Sequence, residues 1–219
     1  MLAIGLVLLY QVWIFARIWW WVEHNPSTSA FMSARREVLQ EKKPTAELRH
    51  QWVDYDRISN NLKRAVIAAE DANFVDHEGF DWAGIQKAME RNEKKGKIVA
   101  GGSTISQQLA KNLFLTSKRT PWRKAEEALI TVMLEKLMSK RRILEIYLNV
   151  IEWGEMVFGC EAAAHHYFGV SAAQLGAEQA AKLAAMVPNP RLYDRNRFAP
   201  GLLRKTGIIL ARMNSAELP

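Results

Sequence analysis

Apolar positions along the chain fall into three regimes. Residues 1–22, MLAIGLVLLYQVWIFARIWWWV, are almost wholly apolar and carry a single charge, Arg17. Residues 23–50 are mixed and polar, with Pro26 and Pro44, and read as a stalk. Beyond them apolar residues recur at helical spacing. Ile58, Leu62, Ala65, Val66 and Ala69 mark one helix face, with Asp56 or Ser59 available as its cap. A second helix is predicted after Gly101 and Gly102, where Thr104 and Gln107 have capping-box spacing. A long helix is predicted over 121–149: Pro121 suits its start, and Leu129, Val132, Met133, Leu137 and Leu144 form its apolar side. Two shorter helices fit 159–168 and 176–187, closed by Pro188 and Pro190. No run alternates as a strand would, and there is no internal repeat. The expectation is a mainly α domain over 51–215, joined through the stalk at 23–50 to a transmembrane helix at 1–22.

At 1.5 Å per residue the first segment reaches roughly 33 Å as a helix, enough for a hydrocarbon core of about 30 Å. Trp19, Trp20 and Trp21 cluster at its far end, where indoles favour the membrane–water interface, and Arg17 is one turn away, within snorkelling reach of headgroups. The competing readings are a cleaved signal peptide and a buried core helix. A cleavable signal needs a basic start and a short apolar region followed by a small-x-small site; this run is longer, and its exit is aromatic. Charge near the segment does not decide which side of a membrane the domain occupies.

Composition narrows the field. With 219 residues, 49% hydrophobic and 24% charged, the chain supports one packed domain plus an appendage. A single cysteine, Cys160, excludes an intrachain disulfide and any multi-cysteine metal site, and is compatible with an oxidising compartment. The usual glycine-rich nucleotide cradles are absent. The net charge of +7 is concentrated in residues 111–142. There nine basic residues (Lys111, Lys118, Arg119, Arg123, Lys124, Lys136, Lys140, Arg141, Arg142) face three acidic ones. Such a patch suits a solvated helix face or anionic lipid headgroups. Nucleic acid is not expected, because the patch has no aromatic interleaving and belongs to a chain with a membrane segment.

Three stretches concentrate chemistry. Residues 70–81, EDANFVDHEGFD, place Glu70 and Asp71 at a helix end; a polar loop is the plain alternative. Residues 101–112, GGSTISQQLAKN, feed a Gly-Gly pair into a hydroxyl-capped helix, which suits an anion, a mobile lid or simply a good cap. Residues 123–127, RKAEE, set two cations one turn from a carboxylate, for which surface pairing is the default account.

Together these stretches resemble the family-51 glycosyltransferases, the peptidoglycan polymerases of bacterial cell-wall synthesis. The resemblance runs in order through E-D-x-x-F-x-x-H-x-G-x-D at 70–81, G-G-S-T-I-[ST]-Q-Q-x-x-K-N at 101–112 and R-K-x-x-E at 123–127. It continues through K-x-x-I-L-E-x-Y-L-N at 140–149 and an F-G-x-x-A-A-A-x-x-Y-F-G-like run at 158–169, covering roughly residues 55–215. Length and single apolar segment resemble the monofunctional, biosynthetic subgroup. A penicillin-binding transpeptidase domain has no room and no S-x-x-K; Lys205-Thr206-Gly207 is a lone K-T-G read as coincidence. Ser106 stands where threonine is usual, and the stretch Tyr193-Asp194-Arg195-Asn196 lacks the usual following proline, although Glu178, Pro188, Pro190 and Tyr193 match.

The resemblance implies a lysozyme-like glycosyltransferase domain that polymerises lipid II, a disaccharide-pentapeptide on undecaprenyl diphosphate. The acceptor sugar's 4-hydroxyl attacks the growing lipid-linked chain and expels the diphosphate with inversion. It casts Glu70 as base on the acceptor, with Glu127 assisting on the donor side and as the ligand of a divalent cation, Mg2+ or Mn2+. It gives Lys111 and Arg123 the diphosphate, and places Asp71, Phe74, His77, Ser103, Thr104, Gln108, Asn112 and Lys124 around the substrate. The inventory is chemically coherent: an attacking hydroxyl needs a positioned base, and a departing diphosphate needs cations rather than a strong acid. His77 suits either loop orientation or proton transfer. Lipid II and the growing glycan, membrane phospholipid and other cell-wall synthesis proteins are the implied partners. The implied location is the bacterial inner membrane, single-pass, with the N-terminus cytoplasmic and the domain outside. The rival readings are a lysozyme-like peptidoglycan-cleaving enzyme and a non-catalytic membrane scaffold.

Overall fold

The computed structural model describes residues 2–97, 101–116, 118 and 120–219; Met1 of the apolar segment and Arg119 of the basic stretch lie outside the described residues. The chain begins with α1 (Leu2–Trp20), α2 (Ala30–Lys42), the short strand β1 (Arg49–His50), α3 (Asn60–Glu70), α4 (Trp82–Lys95) and α5 (Ile105–Phe114). It continues with α6 (Pro121–Leu137), α7 (Lys140–Val150), strands β2 (Glu152–Gly154) and β3 (Val157–Phe158), α8 (Cys160–Phe168), α9 (Ala177–Met186), α10 (Pro190–Arg195) and α11 (Pro200–Arg212). The mainly α expectation holds.

Caps set the helix boundaries. The Ser59 hydroxyl accepts from Asn61 N at 3.2 Å, choosing Ser59 over Asp56 as the cap of α3. Thr104 and Gln107 form the predicted capping box of α5. The long helix predicted over 121–149 is two. Met138 is extended, and Ser139 caps α7 by accepting from Arg142 N at 3.2 Å. A serine that satisfies first-turn amides lets the chain turn a corner at no loss of hydrogen bonding.

Two packing units follow. α3 lies against α9 and α11, and α5 lies against α6 and α7. In α7 Ile143, Leu144, Ile146, Tyr147, Leu148, Asn149 and Val150 are all buried, so this helix is the centre of the core. The chain also holds a three-stranded sheet that the sequence reading did not anticipate: β3 pairs parallel with β1 and antiparallel with β2, with a bulge at Glu152 and Gly154. Strands of two and three residues are too short to show alternation. Within the segment read as a stalk, α2 is capped by Ser29, buries Met32 and packs on α5.

α1 packs on α6, burying Ile14, Ile18 and Trp21 and leaving Ile4, Leu8, Leu9, Val12 and Trp19 exposed. Among the described residues no helix is long and apolar enough to cross a membrane. The Lys140-Arg141-Arg142 run is corrected by its contacts, because it is neither a solvated nor a lipid-facing face as a whole. Lys140 pairs with Glu135 at 2.8 Å and Arg142 with Glu145 at 2.6 Å, both cations mostly buried. Only Arg141, 47% exposed and paired with Asp56, keeps a surface character.

Candidate active site

Glu70 closes α3, and Asp71 is its C-cap. The two carboxylates diverge in use. Asp71 Oδ2 accepts from the Ile105 amide at 2.9 Å, the first residue of α5, and its carboxylate also receives His77 Nε2 at 2.9 Å. His77 Nδ1 accepts from Gly79 N at 3.1 Å, so Nε2 carries the hydrogen and donates to Asp71. His77 therefore orients the loop after α3. Thr104 Oγ1 donates to the Gly79 carbonyl at 2.7 Å, fastening the same loop to α5 from the other side. Gly79 has φ +91°, and a Cβ there would meet Thr131 Cγ2 at 2.7 Å, so a side chain is excluded on both counts.

Glu70 faces a cavity of about 180 Å3 lined by Ala68–Ala72, Asp81, Gly84 and residues 101–104. Its Oε2 accepts from Gln108 Nε2 at 2.9 Å. Gln108 Oε1 in turn accepts from the Tyr147 hydroxyl at 2.9 Å, which fixes the amide with its NH2 towards Glu70. Burial, with Glu70 and Asp71 nearby, pushes the Tyr147 hydroxyl well above the ordinary phenol range, so it remains a donor. Along α5, Thr104, Gln108, Lys111 and Asn112 recur at helical spacing on one face. Asn112 Nδ2 donates to the Gln108 carbonyl at 2.7 Å, and Lys111 Nζ lies 5.8 Å from the Phe31 ring centre.

The third stretch is not a surface pair. Glu127 is 3% exposed; one carboxylate oxygen accepts from Arg123 and the other from Lys124. The Arg123 side chain is 15% exposed and its buried Nε has no partner among the described residues, whereas Lys124 is half exposed. Among the described residues no hydrogen bond or ion pair joins Glu127 to Glu70; α5, packed on α6, links the two carboxylates.

One predicted contact is corrected by burial. Phe74 is fully buried, with Lys140 Nζ 4.7 Å from its ring centre, and offers no surface to a substrate. Thr104 lines the cavity as predicted; it is 2% exposed and its hydroxyl serves the cap and Gly79. Ser103, one residue earlier, is exposed at the cavity. Asp71 and His77 act on the loop and Asn112 on the Gln108 backbone. The donor set also does not fit a resident metal: both Glu127 oxygens already carry cations, and among the described residues no three His, Cys, Asp or Glu side chains gather. Sequence reasoning missed Tyr147, although it lies within the matched 140–149 motif.

This arrangement, a carboxylate held at a cleft by a neutral donor chain with Lys111 on the same helix as Gln108, suits transfer of a group from a charged leaving group. The transglycosylase family profile matches residues 35–214, more than half of the chain, and the chain belongs to that family. It is an enzyme, a glycosyltransferase. The chain is 70% identical over 219 residues to the biosynthetic peptidoglycan transglycosylase of Methylobacillus flagellatus, covering 100% of this chain and 96% of the relative. It is 67% identical over 212 residues to the protein of that name from Chromobacterium violaceum, covering 97% and 93%. The corresponding protein of Laribacter hongkongensis is 66% identical over 216 residues, with 99% and 95% covered.

Proposed function

We propose that this transglycosylase polymerises lipid II into peptidoglycan strands. The observation that carries the reading is Glu70, a carboxylate at the cleft with Oε2 held by Gln108. The acceptor's 4-hydroxyl gives its proton to Glu70 while its oxygen bonds to the anomeric carbon of the lipid-linked donor. The donor's bond to diphosphate breaks, and the electron pair leaves on the diphosphate, with inversion at the carbon. Lys111, Arg123 and Lys124 take up the developing negative charge, the usual largest electrostatic contribution to such a step. Glu127 holds Arg123 and Lys124 in place rather than acting on substrate. Because these cations already occupy the carboxylate, no step is assigned to Mg2+ or Mn2+.

A peptidoglycan-cleaving enzyme would need a carboxylic acid to protonate a poor alkoxide leaving group and would gain little from the cations. The apolar, partly exposed α1 supports membrane association with the domain on the outer face, the N-terminus cytoplasmic, and phospholipid and other cell-wall proteins as neighbours. The test is incubation of the purified chain with labelled lipid II and, separately, with finished peptidoglycan. Polymer from the first and no fragments from the second is the expected result; fragments, or no product from either, would overturn the reading.

A further inference from the structure

Lys205 lies on α11 with Nζ 3.9 Å from Glu70 Oε1. Because α11 packs against α3, a helix from near the end of the chain brings a cation to the carboxylate at the cleft. The two oxygens of Glu70 differ. Oε2 accepts from Gln108; among the described residues Oε1 accepts no hydrogen bond, and Lys205 is its cation within 4 Å. At 3.9 Å the ammonium is too far to occupy an Oε1 lone pair yet close enough to attract the carboxylate and set its orientation. The Glu70 side chain is 10% exposed and that of Lys205 34%, so solvent screens the pair only partly.

We propose that Lys205 is a positioning residue for the transfer: its ammonium holds the Glu70 carboxylate in place while leaving Oε1 open to the acceptor hydroxyl. The inference rests on Glu70 being the base. Among the described residues no other ion pair within 4 Å reaches Glu70. Gln108 and Tyr147 are neutral, and Asp71 is itself a carboxylate. On α9, which also packs on α3, Lys182 is directed at the Phe198 ring, 5.2 Å from its centre. Burial lowers the pKa of Lys205, with the charge of Glu70 opposing that effect. In the transfer the proton passes to Oε1, the new glycosidic bond forms, the donor bond breaks onto the diphosphate, and Lys205 keeps its own proton.

The test is the split between kcat and KM in lipid II polymerisation by the full chain carrying Lys205→Met, Lys205→Gln or Lys205→Arg, beside Glu70→Gln. Lys205→Met is expected to lower kcat about tenfold with KM little changed. Lys205→Gln should do the same, which covers a Met variant that fails to fold. Lys205→Arg should keep the wild-type kcat. Wild-type kcat in the Met and Gln variants overturns the proposal, as does an equal loss in all three. Near-normal turnover by Glu70→Gln would instead refute the base itself. Inactive Glu70→Gln with unchanged kcat in the Lys205 variants refutes Lys205 alone.

Discussion

Arg142 on α7 donates Nε to the Trp21 carbonyl at 3.0 Å, tying the end of the first helix to the central helix of the core. The same guanidinium reaches the His24 carbonyl at 2.7 Å, Asn25 Oδ1 at 2.9 Å and Glu145. Arg142→Ala is therefore expected to lower stability by about 2 kcal/mol, the scale of hydrogen bonds to a charged group. Arg141→Ala, which removes an exposed pair with Asp56, should cost less than about 1 kcal/mol. Denaturant unfolding of the two variants checks the contrast; equal losses would mean that the clasp is not structural.

Glu70→Gln keeps the shape of the side chain and removes its basicity. Turnover should fall by about 10²-fold or more with the fold intact, as measured by single-turnover polymerisation and circular dichroism.

Tyr147→Phe removes the hydroxyl that fixes the Gln108 amide. Losing that one bond should raise the barrier by about 1 kcal/mol, roughly a fivefold fall in kcat. Gln108→Glu, which places a second carboxylate against Glu70, should be more damaging than Tyr147→Phe. The ratio of the two kcat values decides whether the chain from Tyr147 orients the site.

Lys111→Ala and Arg123→Ala should each cost on the order of 2–4 kcal/mol of barrier, mainly in kcat and little changed by salt. Arg141→Ala is the exposed comparison, and any effect it has should fade at high salt. Single-turnover rates at two salt concentrations read this out. Losses of equal size and equal salt sensitivity would show that the basic stretch serves docking alone.

Asp194 gives a pH dependence of known sign. Burial alone would raise its pKa, but the Glu155 amide, Arg197, Tyr167 and His166 outweigh it and hold the carboxyl below the ordinary value. A depressed folded pKa means that its stabilisation is fully present above the ordinary carboxylate range and lost as pH falls through the depressed value. Asp194→Asn should therefore lower Tm at neutral pH, by about 2–4 °C per kcal/mol lost, and the gap to wild type should close in acid. Parallel melts across pH test it, and a constant gap would contradict it.

Much of this was legible from spacing. The caps at Ser59 and Thr104 and the apolar faces of α3, α5, α8 and α9 follow local rules, so the sequence carries them openly. The corner at Ser139 was written as a cap but hidden by apolar spacing that continues across it. The burial of Glu127 was not legible, because an i,i+4 pair reads alike on a surface and beneath one; only the packing of α6 separates the cases. Tyr147, Gln108 and Glu70 meet from three helices, and Lys205 joins them from a fourth. Such convergence has no signature along the chain.

Asp71 has a consequence for how the site is lost. The residue that ends α3 also receives the first amide of α5 and the ring of His77, so three backbone segments share one acceptor. The end of α3 bearing Glu70 cannot fray without releasing the start of α5, which carries Gln108 three residues further on. The cleft therefore opens as one cooperative unit, and amide hydrogen exchange at Ile105 becomes a local gauge of how often the whole site comes apart.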